Sequence, residues 1–175
     1  MRYLQLRKYD AANGTGIATT IFLSGCRFMC EGCFNRWEGW SFQNGKLVTD
    51  EVIDQVIEYF SDSHVNHLSI LGGEPLHQNL DELDYFLNKI KNKVPNKIVW
   101  LWTGYYLKDL ENSKDLEDVF RLQLLKRYVD YVVDGRFEKD LKNERILFRG
   151  STNQIIYKKE KGIFVPDKEL NEFKL

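Results

Sequence analysis

The sequence has few cysteines and no long apolar run. Only three cysteines occur among the 175 residues, and all lie between positions 26 and 33. An odd number cannot pair completely within the chain, which excludes a secreted domain held together by disulfides. The longest apolar run, Ile98–Trp102, is far shorter than the ~20 residues that span a bilayer. The first residues also lack the apolar segment of a signal peptide. We therefore expect a cytoplasmic protein that does not bind membranes.

The chain also has almost no net charge, and it lacks internal repeats and proline-rich linkers. Its 25 Lys and Arg balance 26 Asp and Glu, which gives a net charge of −1 and no overall attraction to nucleic acid. Only three prolines occur, and no segment repeats with a period of about 20 to 50 residues. These absences predict a single domain over residues 1–175, long enough to bury roughly two-thirds of its unfolded surface.

Segments of strand and helix character alternate along most of the chain. Alternating or β-branched apolar residues predict strands at Tyr3–Lys8 and Ile17–Leu23, with a turn at Asn13–Gly16 between them. Beyond residue 48, the helical spacing of apolar residues predicts helices at 49–60, 80–90 and 116–124. The strands predicted to alternate with these helices are His67–Leu71, Ile98–Thr103, Tyr128–Val133 and Gln154–Tyr157.

This alternation predicts an α/β fold with a mainly parallel sheet. A closed (β/α) barrel of eight units typically takes about 250 residues, so the shorter chain predicts an incomplete barrel or an open sheet. Ligands of such sheets bind at the carboxyl ends of the strands. We therefore expect four segments to meet at one edge of the sheet: Ser24–Cys26, Gly72–Pro75, Thr103–Tyr105 and Asp134–Arg136.

The three cysteines have the spacing Cys26-x-x-x-Cys30-x-x-Cys33, which favours a metal centre. Soft thiolate ligands select zinc, copper(I) or iron–sulfur clusters. Structural zinc sites usually have a second ligand pair downstream, and none occurs here. An iron–sulfur cluster is therefore favoured over zinc and over buried free thiols. With four irons, three cysteines leave one iron open to another ligand. A zinc site would take its fourth ligand from His64, His67 or His77.

The cysteine spacing resembles the cluster loop of the radical S-adenosylmethionine (SAM) superfamily. In that superfamily the three cysteines hold a [4Fe-4S] cluster, and the amino and carboxylate groups of SAM bind the fourth iron. The Gly72–Pro75 segment, Gly-Gly-Glu-Pro, follows a predicted strand and is similar to the second signature of the superfamily. In the superfamily the backbone of this signature holds the methionine part of SAM. The resemblance implies an incomplete barrel of the radical SAM type.

Four further segments narrow the resemblance to the activating enzymes of anaerobic ribonucleoside-triphosphate reductases. These segments are residues 30–37, 100–105, 133–137 and 148–154. The resemblance covers about Asn13 to Gln154. It implies a radical SAM oxidoreductase that cleaves SAM reductively at the cluster and leaves a glycyl radical on the large subunit of the reductase. An electron donor such as a flavodoxin or ferredoxin is implied as a second partner.

The resemblance also assigns roles by position. Cys26, Cys30 and Cys33 are expected to bind the cluster. Because the cluster and SAM carry the chemistry, no further catalytic residue is expected. The residues expected to contact SAM are Gly32, Phe34, Gly73, Glu74, Thr103 and Asp134.

The sequence departs from the family pattern at three positions. Ala18 and Ile155 stand where a basic residue is common, so a role for that positive charge in holding SAM or the partner is in doubt. Gly32 stands where the wider superfamily often has an aromatic residue. Phe34 or Phe28 then remains to pack near the adenine of SAM.

Two other functions stay open at this point. One is a radical SAM enzyme that acts on a small molecule such as a pterin or purine precursor. The stretch Arg149–Gln154, which resembles the reductase-activating enzymes, argues against it. The other is a non-catalytic binding module stabilised by zinc, in which the same thiolates hold a structural ion.

Overall fold

The computed structural model describes residues 1–175. Five helices lie along the chain: α1 (Asp50–Ser61), α2 (Leu80–Lys93), α3 (Leu107–Asn112), α4 (Leu116–Tyr128) and α5 (Lys168–Glu172). The strands are β1 (Arg2–Asp10), β2 (Ala18–Ser24), β3 (Lys46–Leu47), β4 (His67–Gly72), β5 (Ile98–Trp102), β6 (Tyr131–Asp134), β7 (Ile155–Glu160) and β8 (Ile163–Pro166). None of the helices is long and apolar enough to cross a membrane.

All eight strands form one open sheet in the order β3-β1-β2-β4-β5-β6-β7-β8. The central strands β2, β4, β5 and β6 pair in parallel. The pairings on either side of them are antiparallel, so only β1 and β7 run against the other strands. The structure therefore confirms the α/β class and a mainly parallel sheet. Because β3 and β8 are free edges, the sheet is not closed into a barrel.

Helices α1 to α4 pack on one face of this sheet, and the short α5 lies on the other. A core of 24 buried residues joins the inner faces of α1, α2 and α4 to alternate residues of the strands, such as Val99 and Leu101 of β5. The residue between them, Trp100, points to the other face and forms a small cluster with Val133 and Ile156. Alternate side chains of a strand lie on opposite faces, which explains this division. The second face is therefore covered by few residues, mainly aromatic ones.

The predicted elements are present with boundaries that differ by up to four residues, and one residue was assigned to the wrong element. The strand predicted from Tyr128 begins at Tyr131, because α4 continues through Tyr128. Tyr128 lies four residues after Leu124 and extends the apolar stripe of that helix into the core, where its side chain is 4% exposed. The sequence did not predict four short elements of two to six residues, which are too short to show a period. They are β3, α3, β8 and α5.

Lys97 closes the C-terminal end of α1. Its ammonium group donates hydrogen bonds to the carbonyl oxygens of Phe60, Asp62 and Val65, at 2.8, 2.6 and 2.8 Å. The last carbonyls of a helix lack intrahelical donors, and a charged donor satisfies them well. Lys97 immediately precedes β5, so this contact ties the end of α1 to the start of a central strand.

We expect Lys97→Met to lower the free energy of unfolding by about 2 kcal/mol, because three carbonyl groups lose a charged donor while the length of the side chain is kept. Urea denaturation measures this change. Lys114→Met, at an exposed lysine before α4, is the matched control and should change the free energy by less than about 0.5 kcal/mol. Equal losses in the two variants would contradict this role of Lys97.

Candidate functional site

The segments that follow β2, β4, β5 and β6 meet at one edge of the sheet, as expected from the strand order. They line a cleft of about 560 Å³. This convergence brings the cysteines, the Gly-Gly-Glu-Pro segment and two further strand ends into one site. The strand-end residues that line the cleft are Cys26, Gly72, Gly73, Glu74, Thr103, Gly104, Gly135 and Arg136.

The cysteine loop, residues 25–40, forms one wall of the cleft. Its two ends are joined by hydrogen bonds from the Gly25 and Cys26 amides to the carbonyls of Gly39 and Trp40, at 2.9 and 3.1 Å. The Asn35 side chain donates to the Gly72 carbonyl at 2.7 Å and fastens the loop to the end of β4. All three cysteines are half-buried and line the cleft.

Burial disfavours the thiolate form of two cysteines of this loop, Cys26 and Cys30. The pKa of Cys26 is raised to about 11, mainly by burial and also by the nearby Glu74 carboxyl. Burial also raises the pKa of Cys30, with a contribution from Cys33. Metal ligation requires thiolates, so a bound cationic centre must offset this desolvation. Three soft sulfur ligands on one wall fit an iron–sulfur cluster.

The arrangement differs from that of a closed zinc site. Nowhere do three Cys, His, Asp or Glu side chains converge closely enough to hold a single metal ion. A zinc ion needs all of its ligands around one point, whereas each cysteine of a four-iron cluster binds a different iron. The three histidines considered as a fourth zinc ligand, His64, His67 and His77, do not line the cleft. Nδ1 of His77 instead accepts a hydrogen bond from the Arg27 amide at 3.0 Å.

Gly73 packs directly against the cysteine loop. Its amide donates to the Leu23 carbonyl at 2.7 Å, and the next amide, of Glu74, donates to the Gly25 carbonyl at 2.8 Å. A Cβ atom on Gly73 would lie 2.5 Å from the Gly25 oxygen and 2.8 Å from the Gly39 oxygen. Only glycine permits this approach of three backbone segments.

The Glu74 carboxyl is buried beneath the cleft and is 2% exposed. Oε1 accepts hydrogen bonds from the Leu76 amide and the Thr103 hydroxyl, at 2.9 and 2.8 Å, and Oε2 accepts one from the Gly104 amide at 2.6 Å. Burial raises its pKa to about 7. Glu74 and Thr103 were both expected to contact a ligand. The structure places them at the cleft but bonds their side chains to each other.

The remaining expected contacts occupy different positions. Gly32 and Phe34 line the cleft at its rim, where the Phe34 side chain is 96% exposed. Asp134 does not line the cleft. Its Oδ2 accepts a hydrogen bond from the amide of Leu107, the first residue of α3, at 2.8 Å. Its Oδ1 is buried without a partner. Asp134 therefore supports a neighbouring helix from behind the cleft.

One structural side chain of the site, Gln154, was not singled out from the sequence. Its Oε1 accepts hydrogen bonds from the amides of Gly150 and Ser151, and its Nε2 donates to the Gly135 carbonyl at 2.8 Å. These contacts fasten the loop before β7 to the end of β6. Gln154 lies in the segment 148–154, which resembles the family. Only the structure shows which atoms the Gln154 side chain joins.

Asp134 makes stability depend on pH in the mildly acidic range. Burial raises its pKa from 3.8 to about 6, so the folded chain binds this proton more tightly than the unfolded chain. Its contribution to stability is therefore largest below about pH 4 and falls as the pH rises to about 6. Over this window we expect the wild type to lose about 2 kcal/mol relative to Asp134→Asn. Urea denaturation of both proteins across the window measures the difference, and a constant difference would contradict this role.

Comparison with known proteins places the chain in a family. Residues 12–157 match the model of the "4Fe-4S single cluster domain" family. The chain is 36% identical over 168 residues to the anaerobic ribonucleoside-triphosphate reductase-activating protein of Enterobacteria phage T4. The match covers 95% of this chain and 100% of that protein. It is 37% identical over 161 residues to the protein of the same name from Pasteurella multocida, covering 90% and 98% of the two chains.

A relative from Escherichia coli K12 with the same name is 35% identical over 160 residues, which cover 90% of this chain and 98% of the relative. The relatives are thus matched over nearly their whole length, and the resemblance drawn from the sequence motifs is confirmed. The chain belongs to the family of anaerobic ribonucleoside-triphosphate reductase-activating proteins.

Proposed function

We propose that this chain activates an anaerobic ribonucleotide reductase by forming a glycyl radical on its large subunit, as a radical SAM enzyme with an incomplete barrel. The observation that carries the proposal is the meeting of three cysteines and the Gly72–Pro75 segment in one cleft. The names of the relatives and the match to an iron–sulfur domain family support it. The proposed cofactors are a [4Fe-4S] cluster and SAM.

Cys26, Cys30 and Cys33 hold the cluster in this proposal, because they line one wall of the cleft. When bound, the cluster and SAM supply the one-electron chemistry that removes a hydrogen atom from a glycine of the reductase. The chain itself binds, orients and shields these groups. The half-buried Cys26 supports this role, because this part of the wall is partly withdrawn from water.

The expected SAM contacts divide into direct and supporting residues. Gly32, Phe34 and the backbone of Gly73 face the cleft and are proposed to touch SAM. Glu74 and Thr103 fix the floor of the cleft through their mutual hydrogen bond. Asp134 lies outside the cleft, so we assign it a supporting role through α3.

The surface around the cysteine loop fits a protein partner. Met29, Phe34 and Trp37 are 57%, 96% and 74% exposed, which is a large apolar area for one loop. Large exposed apolar side chains grouped on one loop are typical of sites of protein interaction. We assign this surface to the large subunit of the reductase. A flavodoxin or ferredoxin in the cytoplasm is the proposed electron donor.

The test uses the chain reconstituted anaerobically with iron and sulfide and then mixed with reductant, SAM and the reductase. The wild type should form 5′-deoxyadenosine and a glycyl radical seen by electron paramagnetic resonance. Cys26→Ala, Cys30→Ala and Cys33→Ala should lower both to background, because each removes a cluster ligand. Ser63→Ala, in the exposed turn after α1, is the control and should behave as the wild type.

Two other outcomes would favour the alternative functions. An intact cluster that cleaves SAM but forms no glycyl radical on the reductase would favour a small-molecule substrate. Anaerobically purified protein that contains zinc and no iron would contradict both radical functions and favour the binding module.

A further inference from the structure

His77 is a buried histidine that lies between two parts of the site. It is the last residue of a single helical turn, Pro75–His77, which follows Glu74. The Glu74 side chain accepts a hydrogen bond from the Leu76 amide at 2.9 Å, and the His77 amide donates to the Glu74 carbonyl at 3.1 Å. His77 is only 7% exposed. The position of its imidazole ring is therefore set by the floor of the cleft.

The imidazole ring of His77 contacts the cysteine loop in two ways. Its Nδ1 atom accepts a hydrogen bond from the amide of Arg27, the residue directly after Cys26, at 3.0 Å. The ring also packs against the Phe28 ring, with centroids 4.4 Å apart. Both contacted residues lie between Cys26 and Cys30, so His77 holds the first turn of the cysteine loop.

The ring is neutral at physiological pH and therefore keeps its acceptor. Burial and the nearby charges of Arg27, Arg121 and Arg136 lower the pKa of His77 to about 4. A neutral imidazole has one protonated and one unprotonated nitrogen. The hydrogen bond from the Arg27 amide identifies Nδ1 as the unprotonated one. A permanent acceptor is thus paired with a backbone donor next to the first cysteine.

The turn that His77 holds decides which backbone amides face the first cysteine. The Arg27 amide points to His77, whereas the amides of Phe28 and Met29 act on the Cys26 sulfur and lower the pKa of its thiol against the effect of burial. Hydrogen bonds to the sulfurs of an iron–sulfur cluster stabilise its more negative, reduced state. Met29 has a φ of 49°, which is uncommon for a residue other than glycine. Contacts from outside the turn are therefore needed to hold it.

We infer that His77 is a positioning residue for the proposed cluster and raises its reduction potential, an inference that rests on the proposed function. Nδ1 binds the Arg27 amide and so holds the turn in which the next two amides face the Cys26 sulfur. From the sequence, His77 was one candidate for the fourth ligand of a zinc ion. The structure gives its ring a backbone partner instead.

The test is a redox titration of the anaerobically reconstituted protein without SAM, in which electron paramagnetic resonance measures the reduced cluster. His77→Phe keeps a ring against Phe28 but lacks the acceptor. At the wild-type midpoint potential, its ratio of reduced to oxidised cluster should be about tenfold lower, a shift of about 59 mV to more negative potential. His77→Asn loses the ring, but its Oδ1 atom can occupy the place of Nδ1 and should restore the wild-type potential. His64→Phe, at an exposed histidine, is the matched control and should not change the potential.

The two variants separate the hydrogen bond from the packing of the ring. An unchanged potential in His77→Phe would overturn the inference. An equal shift in His77→Phe and His77→Asn would also overturn it, because the ring rather than the acceptor would then matter. Loss of the cluster from both variants, with urea denaturation showing that both are folded, would have the same meaning. Loss of the cluster from folded His77→Phe alone would support the inference, since the acceptor would then be needed to hold Cys26.

Two further arms keep the test decisive. If His77→Phe does not fold, His77→Gln replaces it, because the glutamine oxygen lies one methylene farther from the backbone than Nδ1. The same negative shift is expected of His77→Gln, and a wild-type potential in that variant would overturn the inference. A wild type that is folded but binds no cluster after reconstitution would contradict the proposed function instead.

Discussion

The cleft depends on one buried carboxyl group. Glu74 lies after β4, and its oxygens are bound by the Thr103 hydroxyl and the Gly104 amide, both of which follow β5. Its own amide donates to the carbonyl of Gly25 after β2. A buried carboxyl group is costly to leave without donors, so these contacts must form together. Three neighbouring strand ends are thereby fixed relative to one another, and the cysteine loop is positioned as a result.

Close backbone packing also positions the cysteine loop. Gly73 brings the segment after β4 within contact of the backbone at Gly25 and Gly39, the two ends of the cysteine loop. Asn35 and Gln154 then fasten the two loops that form the walls of the cleft. Polar side chains bonded to backbone carbonyls hold irregular segments as effectively as a sheet holds its strands. A cleft built mainly of loops is thus well defined.

The sequence predicted the α/β class and the meeting of four strand ends at one edge of the sheet, because both follow from local patterns. Strand and helix periods located the central elements, and the rule for parallel sheets brought four strand ends together. The role of Asp134 was not predictable, since it depends on α3, which has too few residues to show a period.

The division of the molecule into a helix-covered core and a loop-built cleft has a consequence for maturation. None of the three cysteines belongs to the core of 24 residues, which joins α1, α2 and α4 to the sheet. The apolar contacts of this core therefore involve none of the proposed cluster ligands, whereas some small domains fold only around their metal ion. Iron and sulfide can be delivered to a chain that is already folded. Loss of the cluster would then leave the contacts of this core in place.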